Sequence, residues 1–195
     1  VPIESIVITG GSNEALRVTG LAISDKGGNI VAGQPTYLAL MSYAEAWGGE
    51  IKWVPVDSNK GYDLKKIKEA IDQETNMVFI ANPNNPTGTL LNGSSLAKFC
   101  EDVSKQTLVF CDEAYYDYIN ESDYPSMDYL VRQGENVIIS NHTILNKRCE
   151  IKPGSVIGSN GFGLVTNDKI HYSIPHVGKV IIKDNVLIGS NVLSM

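Results

Sequence analysis

The chain changes its folding rule once, between residues 134 and 140. Upstream, short β-branched or apolar runs alternate with segments of helical periodicity. Downstream, Ile139, Leu145, Ile151 and Ile157 recur at a constant step of six. Apolar strands alternating with amphipathic helices specify a parallel sheet covered on both faces. A step of six cannot keep one face of an α-helix, whereas the stacked coils of a parallel β-helix bury one aliphatic residue per hexad. The sequence therefore predicts an α/β domain over residues 1–139 and a short β-helix over residues 140–195.

The upstream alternation can be followed unit by unit. Residues 5–9 form a β-branched run ending in glycines, and residues 13–24 place Leu16, Thr19, Gly20 and Ile23 on one helical stripe. A strand over residues 29–33 leads to a helix from residue 35 to about 47, with Pro35 in its first turn and Gly48-Gly49 as its stop. Further strands are expected over residues 50–56, 76–81 and 107–111, and further helices over residues 63–71 and 93–103. Ligands of such sheets collect at the carboxyl ends of the strands. Gly10-Gly11-Ser12-Asn13-Glu14, the loop at residues 82–88 and Asp112-Glu113-Ala114-Tyr115 all fall there.

In the downstream half, Thr143, Cys149 and Ser155 follow the first three aliphatic positions by four residues, and Ile182 and Ile188 resume the repeat with Val186 and Val192. Residues 159–179 break the register and are expected to project as a loop; they hold Gly161-Phe162-Gly163 and Ile174-Pro175-His176.

Composition narrows the partners. A formal charge of -6, a pI near 5.0 and the absence of any Lys/Arg run disfavour nonspecific binding to nucleic acid or anionic lipid. Cys100, Cys111 and Cys149 are scattered, with no metal-binding or disulfide spacing, so a reducing, cytoplasmic setting is expected. No apolar run reaches membrane-spanning length, and no metal is expected. The first residue is Val1, with no leader-like segment after it, which suggests a fragment or a processed chain.

Three motifs carry chemistry, and each has an ordinary alternative. Gly11-Ser12-Asn13 opens a helix, where free N–H groups and the helix dipole suit a phosphate; Ser12 or Asn13 would serve equally as a plain N-cap. Two prolines and Gly88 fix the path of Asn82-Pro83-Asn84-Asn85-Pro86-Thr87-Gly88, which can hold the Asn85 amide towards a ligand or merely staple a turn. Asp112 ends an apolar strand, and a desolvated carboxylate needs a partner: a basic nitrogen on a cofactor, an Arg, or the backbone of a cap.

Taken together and in this order, the motifs over residues 1–139 resemble the large domain of fold-type I pyridoxal-phosphate aminotransferases, the histidinol-phosphate aminotransferase group above all. The resemblance implies pyridoxal 5'-phosphate as cofactor and an amino acid or amino-acid-derived phosphate as substrate. Gly11, Ser12 and Asn13 would meet the cofactor phosphate, and Tyr37 would stack on the pyridine ring. Asn85 and Tyr115 would bond the phenolic oxygen, and Asp112 would pair with the protonated ring nitrogen. A nearby carboxylate raises that nitrogen's pKa and so keeps the ring an electron sink.

One departure matters for activity. In the family, the strand matching residues 136–140 leads to a lysine that attaches the cofactor covalently and later moves the substrate proton. Here Ser140-Asn141-His142-Thr143-Ile144-Leu145 puts leucine at that position, while Lys147 and Lys152 are out of register. No catalytic residue is therefore assigned, covalent attachment is not expected, and the chain is expected not to transaminate.

The downstream half, residues 136–194, resembles the left-handed β-helix of UDP-3-O-acylglucosamine N-acyltransferase, a lipid A pathway enzyme; the Gly161-Phe162-Gly163 excursion adds to the hexads. His142, His171 and His176 do not match that family's general-base motif and read as surface histidines. The parent families form homo-oligomers, dimeric for the aminotransferase and trimeric for the β-helix. Three functions thus stand side by side: an aminotransferase by ancestry, an acyltransferase β-helix fragment, and a noncatalytic hybrid joined by recombination or by mistaken assembly. Residues 134–140 suit both templates, and incomplete halves predict marginal stability or aggregation.

Overall fold

The computed structural model describes residues 3–7, 9, 11–25, 27–121, 124–140, 150–151, 156–157, 164–167, 170–173, 186–188 and 193–194. Its contacts divide the chain into two compact units, Val1–Ile8 with Asn13–Asn141, and Thr9–Ser12 with His142–Met195.

The first unit is built on five strands: β1 (Asn29–Gln34), β2 (Glu50–Pro55), β3 (Thr75–Ala81), β4 (Leu108–Asp112) and β5 (Val137–Ser140). They form one sheet in the order β2-β1-β3-β4-β5, and every pairing is parallel. Parallel neighbours require crossovers, which are supplied by α2 (Ala39–Ala46), α3 (Leu64–Glu69), α4 (Gly93–Val103) and α5 (Asp128–Arg132); α1 (Ser12–Ser24) precedes β1.

Side chains alternate across the sheet and feed two cores. On one face Ile30, Ala32, Met77, Phe79, Ala81 and Phe110 pack with Leu16 of α1 and Leu40, Met41 and Ala44 of α2. On the other, Val31, Val78, Ile80, Val109 and Cys111 pack with Ile67 of α3, Leu96, Phe99 and Val103 of α4, and Leu130 of α5. The first helix pair is close because Gly20 has no side chain: a Cβ there would lie 2.7 Å from the Leu40 carbonyl oxygen.

The order of the strands creates a crevice. From β1 the chain moves outward through α2 to β2, then returns past β1 to place β3, β4 and β5 on the other side. Connections leaving β1 and β3 therefore diverge, and the gap between them opens at the strands' carboxyl ends. Residues 35–38 and 82–92 rim it, and the Asp112 end of β4 lies one strand further along.

Three expectations are corrected, and one element is new. The described residues of the 5–9 run form no strand: Ile3–Ser5 is a 3₁₀ turn, and Ile6 and Val7 are exposed and irregular. A strand exists only through ladder bonds to a neighbour, and the described strands offer this run none. The second helix starts at Ala39 rather than Pro35, because the intervening backbone is held by side chains of other segments: Asn84 Nδ2 donates to the Pro35 carbonyl at 3.0 Å, and Thr36 is buried. Helix α5 was not anticipated. Within residues 159–179, β8 (Leu164–Asn167) and β9 (Ile170–Ser173) pair as an antiparallel hairpin, where only a projecting loop was expected.

Elsewhere in the second unit, β6 (Glu150–Ile151) pairs in parallel with β10 (Leu187–Ile188), and β7 (Val156–Ile157) with β11 (Leu193–Ser194). Ile151 lies opposite Ile188, so two positions of the hexad repeat are in register. Leu145, Thr143, Cys149, Ser155, Ile182, His142 and His176 lie outside the described residues, whereas His171 is in β9.

Candidate functional site

Asp112 is the last residue of β4, opposite Ser140 of β5 and Ala81 of β3, and is buried. Its carboxylate accepts from the Ala114 N–H at 3.1 Å and from the Ser140 hydroxyl. Burial pushes its pKa up to about 6 against those two bonds. Both donors are neutral, and among the described residues no Lys or Arg pairs with it. A buried carboxylate so arranged is incomplete without a cation.

Three aromatic and amide groups gather near it. The Asn85 Nδ2 donates to the Tyr115 hydroxyl at 3.2 Å, which joins the loop after β3 to the loop after β4. Tyr37, on the connector after β1, has its phenol pKa raised by burial, then by the charges of Asp112, Tyr115 and Tyr43. Tyr37 is therefore within electrostatic reach of Asp112 and Tyr115, and Tyr115 is hydrogen-bonded to Asn85. Tyr37 and Tyr115 are still 39% and 41% exposed, so their rings remain accessible to a ligand.

The structure puts Gly11, Ser12 and Asn13 at the start of α1. Gly11 has φ 85°, a left-handed backbone that favours glycine, and Ser12 and Asn13 are exposed on the first turn. Gly11 and Ser12 group with the second unit, and Asn13 with the first. Leu145 lies outside the described residues. Among the described residues no group of His, Cys, Asp or Glu is placed to hold a metal ion.

Several residues that sequence reasoning passed over hold this cluster. Asn82 is buried; its Oδ1 accepts from the Leu91 N–H at 2.9 Å, and its Nδ2 donates to the Tyr124 hydroxyl at 2.7 Å. Asn84 donates to the Pro35 carbonyl and to Thr87 Oγ1, and accepts from the Tyr62 hydroxyl at 2.6 Å. Glu113 accepts from the Met127 N–H at 2.7 Å and the Ser126 hydroxyl at 2.6 Å, which closes the base of the excursion that carries Tyr115. Burial pushes the Glu113 pKa up to about 7. The Asn and Glu positions stand inside the two motifs already singled out, so the motifs themselves were their signal. Tyr62 had none.

Comparison with known proteins supplies the family. The family description "Aminotransferase class I and II" matches residues 2–142, well over half the chain. The chain belongs to that family. Among curated relatives of this aminotransferase chain, histidinol-phosphate aminotransferase 2 of Bacillus cereus is 36% identical over 139 residues, 71% of this chain and 38% of the relative. Histidinol-phosphate aminotransferase of Anoxybacillus flavithermus is 37% identical over 136 residues, 70% of this chain and 36% of the relative. The chain thus spans under two-fifths of the length of these relatives.

Solved structures agree on the fold. The aspartate aminotransferase of Thermotoga maritima superposes with a TM-score of 0.63 at 21% identity, covering 73% of this chain and 39% of that one. Histidinol-phosphate aminotransferase of Clostridium acetobutylicum does so with a TM-score of 0.57 at 23% identity, over 68% and 38%. The cofactor of this aminotransferase family is pyridoxal phosphate. The residues present fit it: among the described residues no Lys or Arg pairs with Asp112, and a pyridinium N–H would complete it.

Proposed function

We propose that the first unit of this chain is a pyridoxal-phosphate-binding aminotransferase fold of histidinol-phosphate aminotransferase ancestry, and that the chain binds the cofactor without attaching it covalently or transaminating. The observation that carries the binding reading is Asp112, a buried carboxylate at a strand's carboxyl end, held by neutral donors beside the Asn85–Tyr115 bond. When bound, the cofactor supplies an electron sink for charge that develops beside a substrate amine.

Each residue has a part in that reading. Asp112 would keep the proton on the ring nitrogen, and Asn85 and Tyr115 would bond the phenolic oxygen. The Tyr37 ring would cover one face and exclude water from it. Asn13, in the first turn of α1, would offer its amide and side chain to the phosphate. The substrate class that goes with the ancestry is an amino acid or an amino-acid-derived phosphate. Leu145 stands where the family's lysine would anchor the cofactor and carry the proton, and a leucine side chain does neither.

A second reading concerns the other unit. The parallel pairing of Glu150–Ile151 with Leu187–Ile188, and of Val156–Ile157 with Leu193–Ser194, supports a β-helix of the N-acyltransferase type over residues 140–195. On that reading the chain joins pieces of two unrelated enzymes.

Titrating the chain with pyridoxal phosphate, followed by absorbance and by quenching of Trp47 and Trp53, tests the binding reading. Saturable binding that Asp112→Asn weakens by tenfold or more, on the order of one buried ion pair, is the expected result. Equal binding by both proteins would remove Asp112 from the site, and no binding by either would overturn the proposal.

A further inference from the structure

Tyr62 sits on the connector between β2 and α3, outside every motif above, yet it reaches both rims of the crevice. Its ring is 6% exposed and lies against β1, where Gly33 makes room: a Cβ on Gly33 would be 2.2 Å from the ring. From there its hydroxyl meets Thr36 Oγ1 at 2.5 Å and donates to Asn84 Oδ1 at 2.6 Å. With its single proton on Asn84, it accepts from Thr36. Thr36 immediately precedes Tyr37, and Asn84 immediately precedes Asn85. One buried hydroxyl therefore joins the two segments whose next residues, Tyr37 and Asn85, would face the cofactor on the reading above.

We propose that Tyr62 is a positioning residue for the cofactor site: its hydroxyl clasps the β1 and β3 connectors together and so sets the spacing between Tyr37 and Asn85. The inference rests on the binding reading given above. Asn84 tightens the same clasp by donating to the Pro35 carbonyl at 3.0 Å and to Thr87 Oγ1 at 2.8 Å. A site whose contacting groups lie on two irregular connectors depends on such a cross-link, since free connectors would have to be ordered at the moment of binding. Burial pushes the Tyr62 pKa up to about 12, against the Thr36 and Ala81 hydrogen bonds and with the Asp112 charge, so the proton that the clasp needs stays in place across ordinary pH.

Tyr62→Phe keeps the ring over Gly33 and removes only the hydroxyl. Two measurements on the full chain test it. Without cofactor, amide exchange at Asn84 and Gly88, which donate to Thr89 and Asn84, should accelerate roughly tenfold or more, while Val109 and Phe110 in β4 keep their wild-type rates. With pyridoxal phosphate, the Kd should rise by roughly tenfold, and that loss should shrink when Asn85→Ala is already present, as expected of residues acting through one another. Thr36→Val, which breaks one arm and keeps the chain's bulk, should give a smaller shift in the same direction.

Unchanged exchange at Asn84 and Gly88 would overturn the clasp. So would exchange that rises equally in β4, since that is loss of general stability. Affinity loss fully additive with Asn85→Ala would also contradict it. If the wild-type chain fails to bind pyridoxal phosphate, the binding reading falls, while the exchange comparison still decides whether the clasp exists.

Discussion

Asp112 stands between stability and binding. Its pKa is raised in the fold from 3.8 to about 6, and that of Glu113 from 4.5 to about 7, by burial in both cases. The folded chain therefore holds protons that the unfolded chain has released. Stability without cofactor is highest below about pH 4 as far as these groups go, and falls as pH rises through about 6 and 7. Asp112→Asn should make the cofactor-free chain more stable at pH 8 by up to about 3 kcal/mol and leave it level with wild type near pH 4, as read by urea unfolding at both values. The same variant should lose cofactor affinity. Equal stability of the two proteins at pH 8 would contradict the account of a carboxylate waiting for a cation. Asp112 was legible in the sequence because it ends an apolar strand, and Asn85 because two prolines and Gly88 flank it. Tyr62 was not, because its role follows from which face of the sheet Gly33 leaves open and from where the β2–α3 connector lies, neither of which has a local signal.

Strands and helices were legible where their residues pack on the sheet and illegible where other segments recruit their backbone. The strands β1 to β4 came within one or two residues because apolar runs mark buried parallel strands, and β5 was expected only through the family resemblance. The run at residues 5–9 carries the same composition, but no composition supplies a neighbouring strand. Pro35 suits a first helical turn, yet Thr36 is held by Tyr62 and the Pro35 carbonyl by Asn84, so the helix waits until Ala39. In α1, the stripe that contains Gly20 was legible, but not the closeness of α2 behind it. Gly20→Ala should destabilise the first unit by about 1–3 kcal/mol, measured by chemical denaturation, because the clash is with the Leu40 backbone and cannot be relieved by a rotamer. A gain in stability, as helix propensity alone would give, would contradict the packing.

The chain divides by its contacts into two units, and the change of sequence rule near residues 134–140 falls close to that division. Both tryptophans, Trp47 and Trp53, belong to the first unit, so their fluorescence reports its unfolding alone, whereas far-ultraviolet circular dichroism reports both. The two probes should give non-coincident urea transitions; coincident ones would mean a single cooperative body. On the proposed reading, what this molecule can do as a whole depends on residue 145. The hexads that follow β5 carry the expectation of a β-helix, and on the proposed reading the same residues occupy the stretch in which the aminotransferase family keeps its lysine. The most direct test is to saturate the chain with pyridoxal phosphate, reduce with borohydride, and measure the mass of the intact protein alongside amino-group transfer. The account predicts an unmodified mass, cofactor recovered in the filtrate and no turnover. A stoichiometric lysine adduct accompanied by turnover would contradict it.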